Sequence, residues 1–314
     1  MASQAPTTAR PPESSADGNR VTREDLKSAL DQYLDALCRR DPAALQVTPA
    51  MRFTENTAHL QLGEGLWRTI TGLGSYKHYF MDEVSGQAGF IGLIEENGIG
   101  ARLTLRIKLE DGKFSEIETL VVRSGEMDST TEPKSINPVW LEPLVRPHNR
   151  EEIVQIADRY FEAIERNDGD AVAFNPSAIR TENGKWTTSN PHEKAPFGEI
   201  ETDDGVKDFF ALDLKEQFDV QSNGYIESVT PRRWLIVDEQ QGLAFGFFRF
   251  NVAGNVTKQS YMKGARQADM VPEFQRPLSG LMAEAFKVDN GQICHIDAEF
   301  ISVPYKASDG WSDR

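Results

Sequence analysis

The sequence predicts an α+β fold built from two tandem domains, and three observations lead to this prediction. The chain aligns with itself at an offset of 127 residues, with nine identities in the 24 positions from 33 to 56 and no gap. Average composition would give roughly one or two such identities. Each copy begins with a helical pattern of apolar residues and ends in alternating apolar and polar residues. A helix followed by a run of strands in each copy is an α+β arrangement.

Each copy begins with a helix whose first residues match a capping pattern. In the first copy Thr22 is the predicted N-cap, with Asp25 three residues later, and in the second Asn149 and Glu152 form a capping box. Apolar residues then recur at helical spacing. They are Leu26, Leu30, Tyr33, Leu34 and Leu37 in the first helix, and Ile153, Ile156, Ala157, Tyr160, Phe161 and Ile164 in the second.

The strands close each copy. Residues 99–109 alternate between apolar and polar side chains, Asp111-Gly112 is a hairpin turn signal, and residues 114–123 are the partner strand. The corresponding strands of the second copy are predicted at 233–238, 243–252, 285–288 and 293–303. Because strict alternation is typical of sheets with one buried face, we expect both sheets to be antiparallel.

The second copy is longer than the first. The offset grows to 144 and then to 179, through the matches of 96–99 with 240–243 and of 111–114 with 290–293. This growth predicts two extra segments in the second copy, one near 185–215 and one near 254–284.

Proline and low hydrophobicity indicate the domain boundaries. Pro133, Pro138, Pro143 and Pro147 fall between the two copies and predict an extended linker, which Trp140 and Leu141 are expected to hold against a domain surface. The predicted organisation is a disordered tail at 1–20, a first domain at 21–128, a Pro-rich linker at 129–150 and a second domain at 151–314.

Composition and charge exclude several classes of partner. The 314 residues carry a formal net charge of -15, which argues against a nucleic-acid footprint and against anionic membranes. No run of 18 apolar residues predicts a membrane span, and residues 1–20 lack the apolar stretch of a secretory signal. Cys38 and Cys294 are too few for a disulfide framework, so we expect a reduced, cytoplasmic compartment.

Cofactor-binding patterns are missing from the sequence. It has no Gly-x-Gly-x-x-Gly after a strand, no phosphate-binding loop and no Gly-x-Ser-x-Gly nucleophile motif. The five histidines do not have metal-ligand spacing. We therefore expect no cofactor and no catalytic metal. The oligomeric state is left open, with a homodimer as one alternative.

The order of these motifs resembles the NTF2-like superfamily, which includes ketosteroid isomerase, scytalone dehydratase and the SnoaL-type polyketide cyclases. More narrowly, the chain is similar to a two-copy family with Thr181-Glu182-Asn183-Gly184, Val303-Pro304-Tyr305 and Gly310-Trp311. The resemblance covers roughly residues 22–311. It implies that each copy is a curved antiparallel sheet wrapped by helices into a cone with an interior pocket.

Acidic and histidine side chains on the last strands are the predicted catalytic residues. Glu116 and Glu118 share one face of the closing strand of the first copy, and His295 and Asp297 occupy the matching positions of the second. Such groups among apolar neighbours can have shifted pKa values and carry protons. The alternative is that this face is solvated or lies at a domain interface.

Aromatic and polar residues are the predicted substrate-binding groups, because rings offer stacking surfaces and tyrosine and histidine can donate protons. An inserted segment over a pocket mouth often carries function as well. The predicted residues are His59, Trp67, Tyr79, Asp82, Arg102, Arg233 and Tyr261.

The resemblance implies a cofactor-independent lyase that transfers protons on a small apolar, aromatic or polyketide-like molecule. Elimination, dehydration and retro-aldol cleavage all fit, and formaldehyde release from a lignin-derived aryl dimer is one concrete example. Two alternatives stay open: an isomerase or cyclase with the same proton-transferring groups, and a non-catalytic tandem module that binds a small molecule. Fold-level analogy does not choose between them.

Overall fold

The computed structural model describes residues 21–125, 131–195, 199–202, 205–220, 222–260, 267–269 and 272–312. We call residues 21–125 cone 1 and residues 149–312 cone 2. The predicted tail at 1–20 and the predicted site residue Tyr261 lie outside the described residues.

Both copies begin with a 17-residue helix, as predicted: α1 spans Arg23–Arg39 and α2 spans Arg150–Arg166. The Thr22 and Asn149 side chains accept from the backbone N–H three residues on, and Asp25 and Glu152 complete both capping boxes. These caps satisfy N–H groups that have no partner within the helix.

Cone 1 contains a six-stranded sheet in the order β2-β1-β6-β5-β4-β3. The sheet is mixed rather than antiparallel, because β1 pairs with β6 in parallel. The expectation of a purely antiparallel sheet was wrong because β3 to β6 form a four-strand meander whose last strand runs alongside β1 in the same direction. The strands are β1 Val47–Glu55, β2 Ala58–His59, β3 Ile70–Asp82, β4 Gln87–Glu96, β5 Ile99–Glu110 and β6 Lys113–Val122.

Cone 2 repeats this topology, with sheet order β11-β12-β15-β16-β7-β8 and a parallel pair of β7 and β16. Two excursions leave the sheet: β9, β10 and the short helix α3 (Leu214–Asp219) follow β8, and β13 and β14 follow β12. The strands are β7 Phe174–Glu182, β8 Lys185–Trp186, β9 Glu199–Thr202, β10 Gly205–Asp208, β11 Ser228–Asp238, β12 Leu243–Val252, β13 Lys258–Ser260, β14 Gln267–Asp269, β15 Leu278–Asp289 and β16 Gln292–Pro304.

One predicted match between the copies was wrong. Gly242 ends the turn before β12, and Gly86 ends the equivalent turn before β4, both with positive φ. The matched turn at 96–99 instead joins β4 to β5, where cone 2 has its second excursion. Short Gly turns look alike in sequence, so the turn was assigned to the wrong hairpin. The excursion ends where β15 begins, at Leu278 rather than near residue 284.

The core has three main parts. One apolar cluster lies between α1 and the sheet of cone 1, and a second lies between α2 and the sheet of cone 2. The third lies between the two sheets, which pack against each other through the faces that point away from the helices. Trp140 of the linker is buried in this third cluster as predicted, whereas its neighbour Leu141 is exposed.

The contact between the cones is reciprocal. Arg23 at the start of α1 pairs with Asp238 of cone 2 at 2.7 Å, and Arg150 at the start of α2 pairs with Asp82 of cone 1 at 2.7 Å. A contact in which the same positions of two copies exchange partners is typical of two-fold dimers. The backbone amides that donate across to the same carboxylates are Met81 to Asp238 (3.1 Å) and Val237 to Asp82 (3.0 Å).

Candidate functional site

The four predicted catalytic residues lie at the interface between the sheets. Glu118 bonds Arg106 (3.0 Å) and Arg233 of the other cone (3.2 Å). Glu116 bonds the same Arg106 at 2.7 Å and is partly exposed. These carboxylates therefore belong to an ion-pair network that joins the cones.

The two matching residues of cone 2 are buried in the same interface. His295 packs against Trp140 at 5.0 Å between ring centroids, and His78 packs against another part of that indole at 4.6 Å. Burial lowers the pKa of each histidine from 6.5 to about 4. Asp297 accepts hydrogen bonds from Tyr76 (2.7 Å) and Thr181 (2.8 Å).

This placement corrects the expectation that these four residues face a pocket. Alternation shows which side chains share a strand face, but it does not show which face points to the helix. Register shifts between residues 108 and 109 and between residues 287 and 288 also put Phe114 and Ile293 in the helix-facing cores, not beside the acids. The interface alternative is the arrangement observed.

Three predicted substrate-binding residues of cone 1 lie apart from one another. His59 is exposed on β2. Trp67 is buried against Tyr33, with ring centroids 5.4 Å apart, and borders an open surface cleft of about 490 Å³. Tyr79 donates its hydroxyl to Asp31 at 2.9 Å.

The other described substrate-binding candidates lie between the cones, like the four predicted catalytic residues. Asp82 accepts two hydrogen bonds from Arg150. Arg102 pairs with Glu299 at 2.6 Å, and both side chains are buried. Arg233 pairs with Glu118 and, at 2.8 Å, with Asp309. The described members of the predicted substrate-binding set are therefore spread over the surface, the core and the interface, and do not form one site.

Cone 2 contains a cavity of about 720 Å³ between α2, α3 and the sheet, with Gly125 of cone 1 among its lining residues. That volume lies within the range of small-molecule sites. Its wall combines aromatic and aliphatic side chains with polar ones, several of which surround Arg180. The polar lining residues are Tyr160, Arg180, Glu182, Lys185, Thr187, Gln217, Ser222, Asn223, Tyr225, Arg276 and Ser302.

Arg180 is the centre of a group of polar side chains in the cavity wall. Its guanidinium donates to the Tyr160 hydroxyl (3.1 Å), to Gln217 Oε1 (2.9 Å) and to Thr187 Oγ1 (3.1 Å), and it lies 3.3 Å from Glu182 Oε2. Arginine has five N–H donors, so these partners fix its plane and leave donors for a ligand. The charge of Glu182 and the Tyr160 hydrogen bond raise the pKa of Arg180 although burial opposes them.

Gln217 holds Arg180 in place from the inserted helix α3. Its Nε2 donates to the carbonyls of Thr187 (2.7 Å) and Phe209 (2.9 Å), which orients Oε1 toward the guanidinium. The side chain is buried. The first excursion of cone 2 therefore supplies part of this polar site.

Glu284 lies behind the cavity wall on β15, on the same strand face as Met282 and Phe286 of the cone 2 core. It is 1% exposed, and its Oε1 atom has no hydrogen-bond partner among the described residues. Burial, and then the negative charge of Glu182, raise the pKa of Glu284 from 4.5 to about 8, while Arg180 opposes the rise. A carboxyl with such a pKa is mostly protonated at neutral pH.

Glu284 was not among the site residues predicted from the sequence, although its strand carries a signal. Apolar residues alternate through 278–288, with Glu284 at one of the inward positions. The predicted strand began at residue 285, which left this acid outside it. An acid on an otherwise apolar strand face is a candidate for a shifted pKa.

Cone 1 has apolar residues at the equivalent positions. Phe53 lies opposite Ile117 in cone 1, and Arg180 lies opposite Ile296 in cone 2. The offset is 127 residues from Phe53 to Arg180 and 179 from Ile117 to Ile296. Leu105 pairs with Thr119 as Glu284 pairs with Ala298, both at an offset of 179. Phe53 and Leu105 are fully packed in the cone 1 core. The polar site is a feature of cone 2.

Two further observations concern the described part of the chain. No helix there is long and apolar enough to cross a membrane. Among the same residues, no three His, Cys, Asp or Glu side chains are grouped so that they could hold a metal ion.

Fold and site together define a tandem α+β protein in which one cone has a packed apolar core and the other holds a polar cavity. A family model described as a domain of unknown function, DUF8021, matches residues 19–121 and 146–300, and the chain belongs to this family. No curated protein matches the sequence.

Solved structures with a similar shape include three of different origin. A de novo designed protein with a curved β-sheet is 13% identical, covers 32% of this chain and 87% of its own, and has a TM-score of 0.27. An NTF2-like protein from Cytophaga hutchinsonii is 14% identical, with coverages of 33% and 93% and a TM-score of 0.26. A hexachlorocyclohexane dehydrochlorinase from Novosphingobium barchaimii is 10% identical, with coverages of 51% and 91% and a TM-score of 0.25.

Proposed function

We propose that cone 2 is a cofactor-independent lyase that acts by proton transfer on a small aromatic or polyketide-like molecule. One observation carries this proposal: Glu284 is buried beside the cavity with its pKa raised to about 8, while Glu182 lies at the cavity surface against Arg180. Two carboxyl groups in such different environments are the usual basis of an acid–base pair.

Each polar residue has a role in this proposal. Glu182 accepts a proton from a carbon of the substrate, and the C–H electron pair forms the new double bond. The leaving group departs with the proton that Glu284 donates. Arg180 and Tyr160 stabilise negative charge that develops on a substrate oxygen, as fixed donors do in other enzymes.

The alternatives make different use of the same groups. An isomerase or cyclase of this kind also begins with proton removal from carbon but returns the proton to the same molecule. A binding module holds the ligand at Arg180 and moves no proton. Exchange of carbon-bound hydrogen with solvent separates proton transfer from binding, and product analysis separates lyase from isomerase.

The test is deuterium incorporation in heavy water, followed by NMR, with a panel of aromatic ketones and β-hydroxy carbonyl compounds. We expect the wild-type protein to exchange or eliminate at least one of them. Glu284→Gln should lower that rate by about 10²–10⁴-fold, the usual effect of losing a positioned acid or base. Glu116→Gln, at the cone interface, is the matched control and should retain the rate.

Two results would contradict the proposal. No exchange with any member of the panel would leave the binding module as the better interpretation. Equal rates in wild type and Glu284→Gln would exclude Glu284 as the proton carrier. If Glu116→Gln alone abolished the reaction, the interface acids would be the catalytic groups.

Urea unfolding of Glu284→Gln at several pH values shows whether a lower reaction rate comes from loss of the carboxyl or from loss of the folded structure. Because the pKa of Glu284 is raised in the folded state, its contribution to stability is fully present below pH 4.5 and is lost as pH rises toward 8. The amide does not titrate, so this variant should unfold at higher urea than wild type at pH 8. A variant that is less stable than wild type at that pH would show that the carboxyl has a structural role.

A further inference from the structure

We infer that the ligand of cone 2 is an anion, with one carboxylate on a flat aromatic or alicyclic body that the rim of the cavity recognises. The inference takes its cavity from the proposed function. It concerns binding rather than proton transfer, so each can fail without the other.

The charges around the cavity have the opposite sign to those of the whole protein. The chain has 49 acidic residues against 34 lysines and arginines. The lining of the cavity includes three cations, Arg180, Lys185 and Arg276, and one acid, Glu182. A concave, mostly apolar surface with one sign of charge focuses the electric field and raises the local concentration of the opposite ion. The cavity therefore favours anions although the protein as a whole repels them.

The depth of each cation indicates where the anionic group binds. Arg180 is largely buried and already faces Glu182. Lys185 is half-buried opposite Glu182 in the β7–β8 hairpin, and Arg276 is exposed just before β15. Lys185 and Arg276 are therefore the cations that an anionic group meets at the rim, and Arg180 is the cation that the inner end of the ligand reaches.

The wall of the cavity indicates the shape of the rest of the ligand. Tyr225 and Phe274 stack with ring centroids 4.7 Å apart and ring planes 20° apart, and both line the cavity. Phenylalanine rings make up much of the remaining wall, and flat apolar bodies pack well against such surfaces. The lining phenylalanines besides Phe274 are Phe209, Phe210, Phe218, Phe250 and Phe300. A body of fused or single rings fits this wall better than a polar chain with several charges.

The test is binding of 2-naphthoate and of its neutral isostere 2-naphthamide, followed by ligand fluorescence and calorimetry. We expect naphthoate to bind and naphthamide to bind about tenfold more weakly, a difference of about 1.4 kcal/mol, because the neutral amide lacks the charge that strengthens hydrogen bonds to the rim cations. Affinity for naphthoate should fall as salt is raised, because the rim charges are exposed to solvent.

Charge variants locate the anion. Lys185→Gln and Arg276→Gln should each weaken naphthoate binding about three- to tenfold and leave naphthamide binding unchanged. Lys258→Gln is the matched control: it removes the same charge from an exposed position of the same excursion as Arg276, outside the cavity lining. All three positions have at least partly exposed side chains, so these variants should fold.

The inference is overturned if the acid and the amide bind equally, or if the Lys258 variant loses as much affinity as the rim variants. Absence of naphthoate binding up to about 1 mM, the range of very weak complexes, would overturn it too. Naphthoate has no acidic carbon-bound hydrogen. Anion binding without any deuterium exchange in the panel would therefore keep this inference and refute the proposed lyase.

Discussion

Cone 1 and cone 2 have the same strand order but differ in what their interiors hold. Tyr33 and Tyr160 occupy equivalent positions on the first helices and are both buried. Around them cone 1 has Phe53 and Leu105 where cone 2 has Arg180 and Glu284. These two changes of residue type and the inserted excursions of cone 2 distinguish its polar cavity from the packed apolar core of cone 1, on the same strand order.

The filled cone supports the strand that carries the polar site. Tyr76 of cone 1 bonds Asp297, and Asp297 also accepts from Thr181, which lies between Arg180 and Glu182 on β7. This carboxylate is buried and has donors from both cones. In the proposed function the cones have different roles: cone 1 stabilises the strand that carries Arg180, and cone 2 binds the ligand. Each prediction below tests one part of this division of roles.

Exchanging the residues at one equivalent position should have the largest effect. Phe53→Arg places a charge in an apolar core without a partner, so we expect a loss of several kcal/mol in the free energy of unfolding. Arg180→Phe removes a buried charge and leaves Gln217 Oε1 without its donor, at a cost of about 1–3 kcal/mol. Urea unfolding followed by circular dichroism measures both. Equal costs would show that the interiors of the two cones tolerate a charged side chain equally well.

Acid should weaken the interface through two histidines. His78 and His295 have pKa values lowered from 6.5 to about 4 by burial. The unfolded chain therefore binds more protons below pH 6.5, and stability is lost as pH falls from 6.5 to 4. Each histidine contributes on the order of 3 kcal/mol to this loss, from 1.36 kcal/mol per pKa unit.

The measurement is the urea midpoint between pH 4 and pH 7 for wild type and for His78→Leu and His295→Leu. Each substitution should flatten the pH dependence, because leucine does not titrate. His59→Leu is the control, since His59 is exposed on β2. Unchanged pH dependence in both buried variants would mean that other groups cause the acid sensitivity.

Local patterns predicted much of the fold. Both first helices, their caps and the β5–β6 hairpin were predicted correctly, because caps and turns are set by residues a few positions apart. The tandem arrangement followed from the repeat.

The site was not predicted because it depends on distant contacts. The strand face that holds Glu118 and Asp297 is buried by the other cone, and the alternation of one strand carries no information about that partner. The alternation of β15 marks Glu284 as an acid on an apolar face, but it does not show that Arg180 and Glu182 lie near it. Gln217 reaches Arg180 from an inserted helix whose position a repeat alignment does not give.

The smallest expected effect concerns the feature in which the cones are most alike. Arg23 and Arg150 are equivalent at an offset of 127, and each pairs with an aspartate of the other cone at 2.7 Å. Their side chains are 28% and 32% exposed, while the aspartates are buried. Arg23→Met and Arg150→Met should therefore each cost about 1–2 kcal/mol in the free energy of unfolding after allowance for solvent exposure. Arg150→Met should cost more than Arg23→Met, because Arg150 bonds Asp82 twice and also donates to the Val237 carbonyl.

The double variant sharpens this test of the two-fold relation. The two ion pairs share no residue but adjoin, because the amides of Met81 and Val237, next to Asp82 and Asp238, donate to the opposite carboxylates. Since neighbouring contacts couple, the cost of the double variant should differ from the sum of the two single costs by about 0.5 kcal/mol or more if the cones unfold together. Arg39→Met is the control, because its ion pair with Asp35 is exposed and stays within α1. A large cost for one arginine and none for the other would show that the two ion pairs are alike in position but not in their contribution to stability. The interface would then depend on its apolar cluster rather than on these two ion pairs.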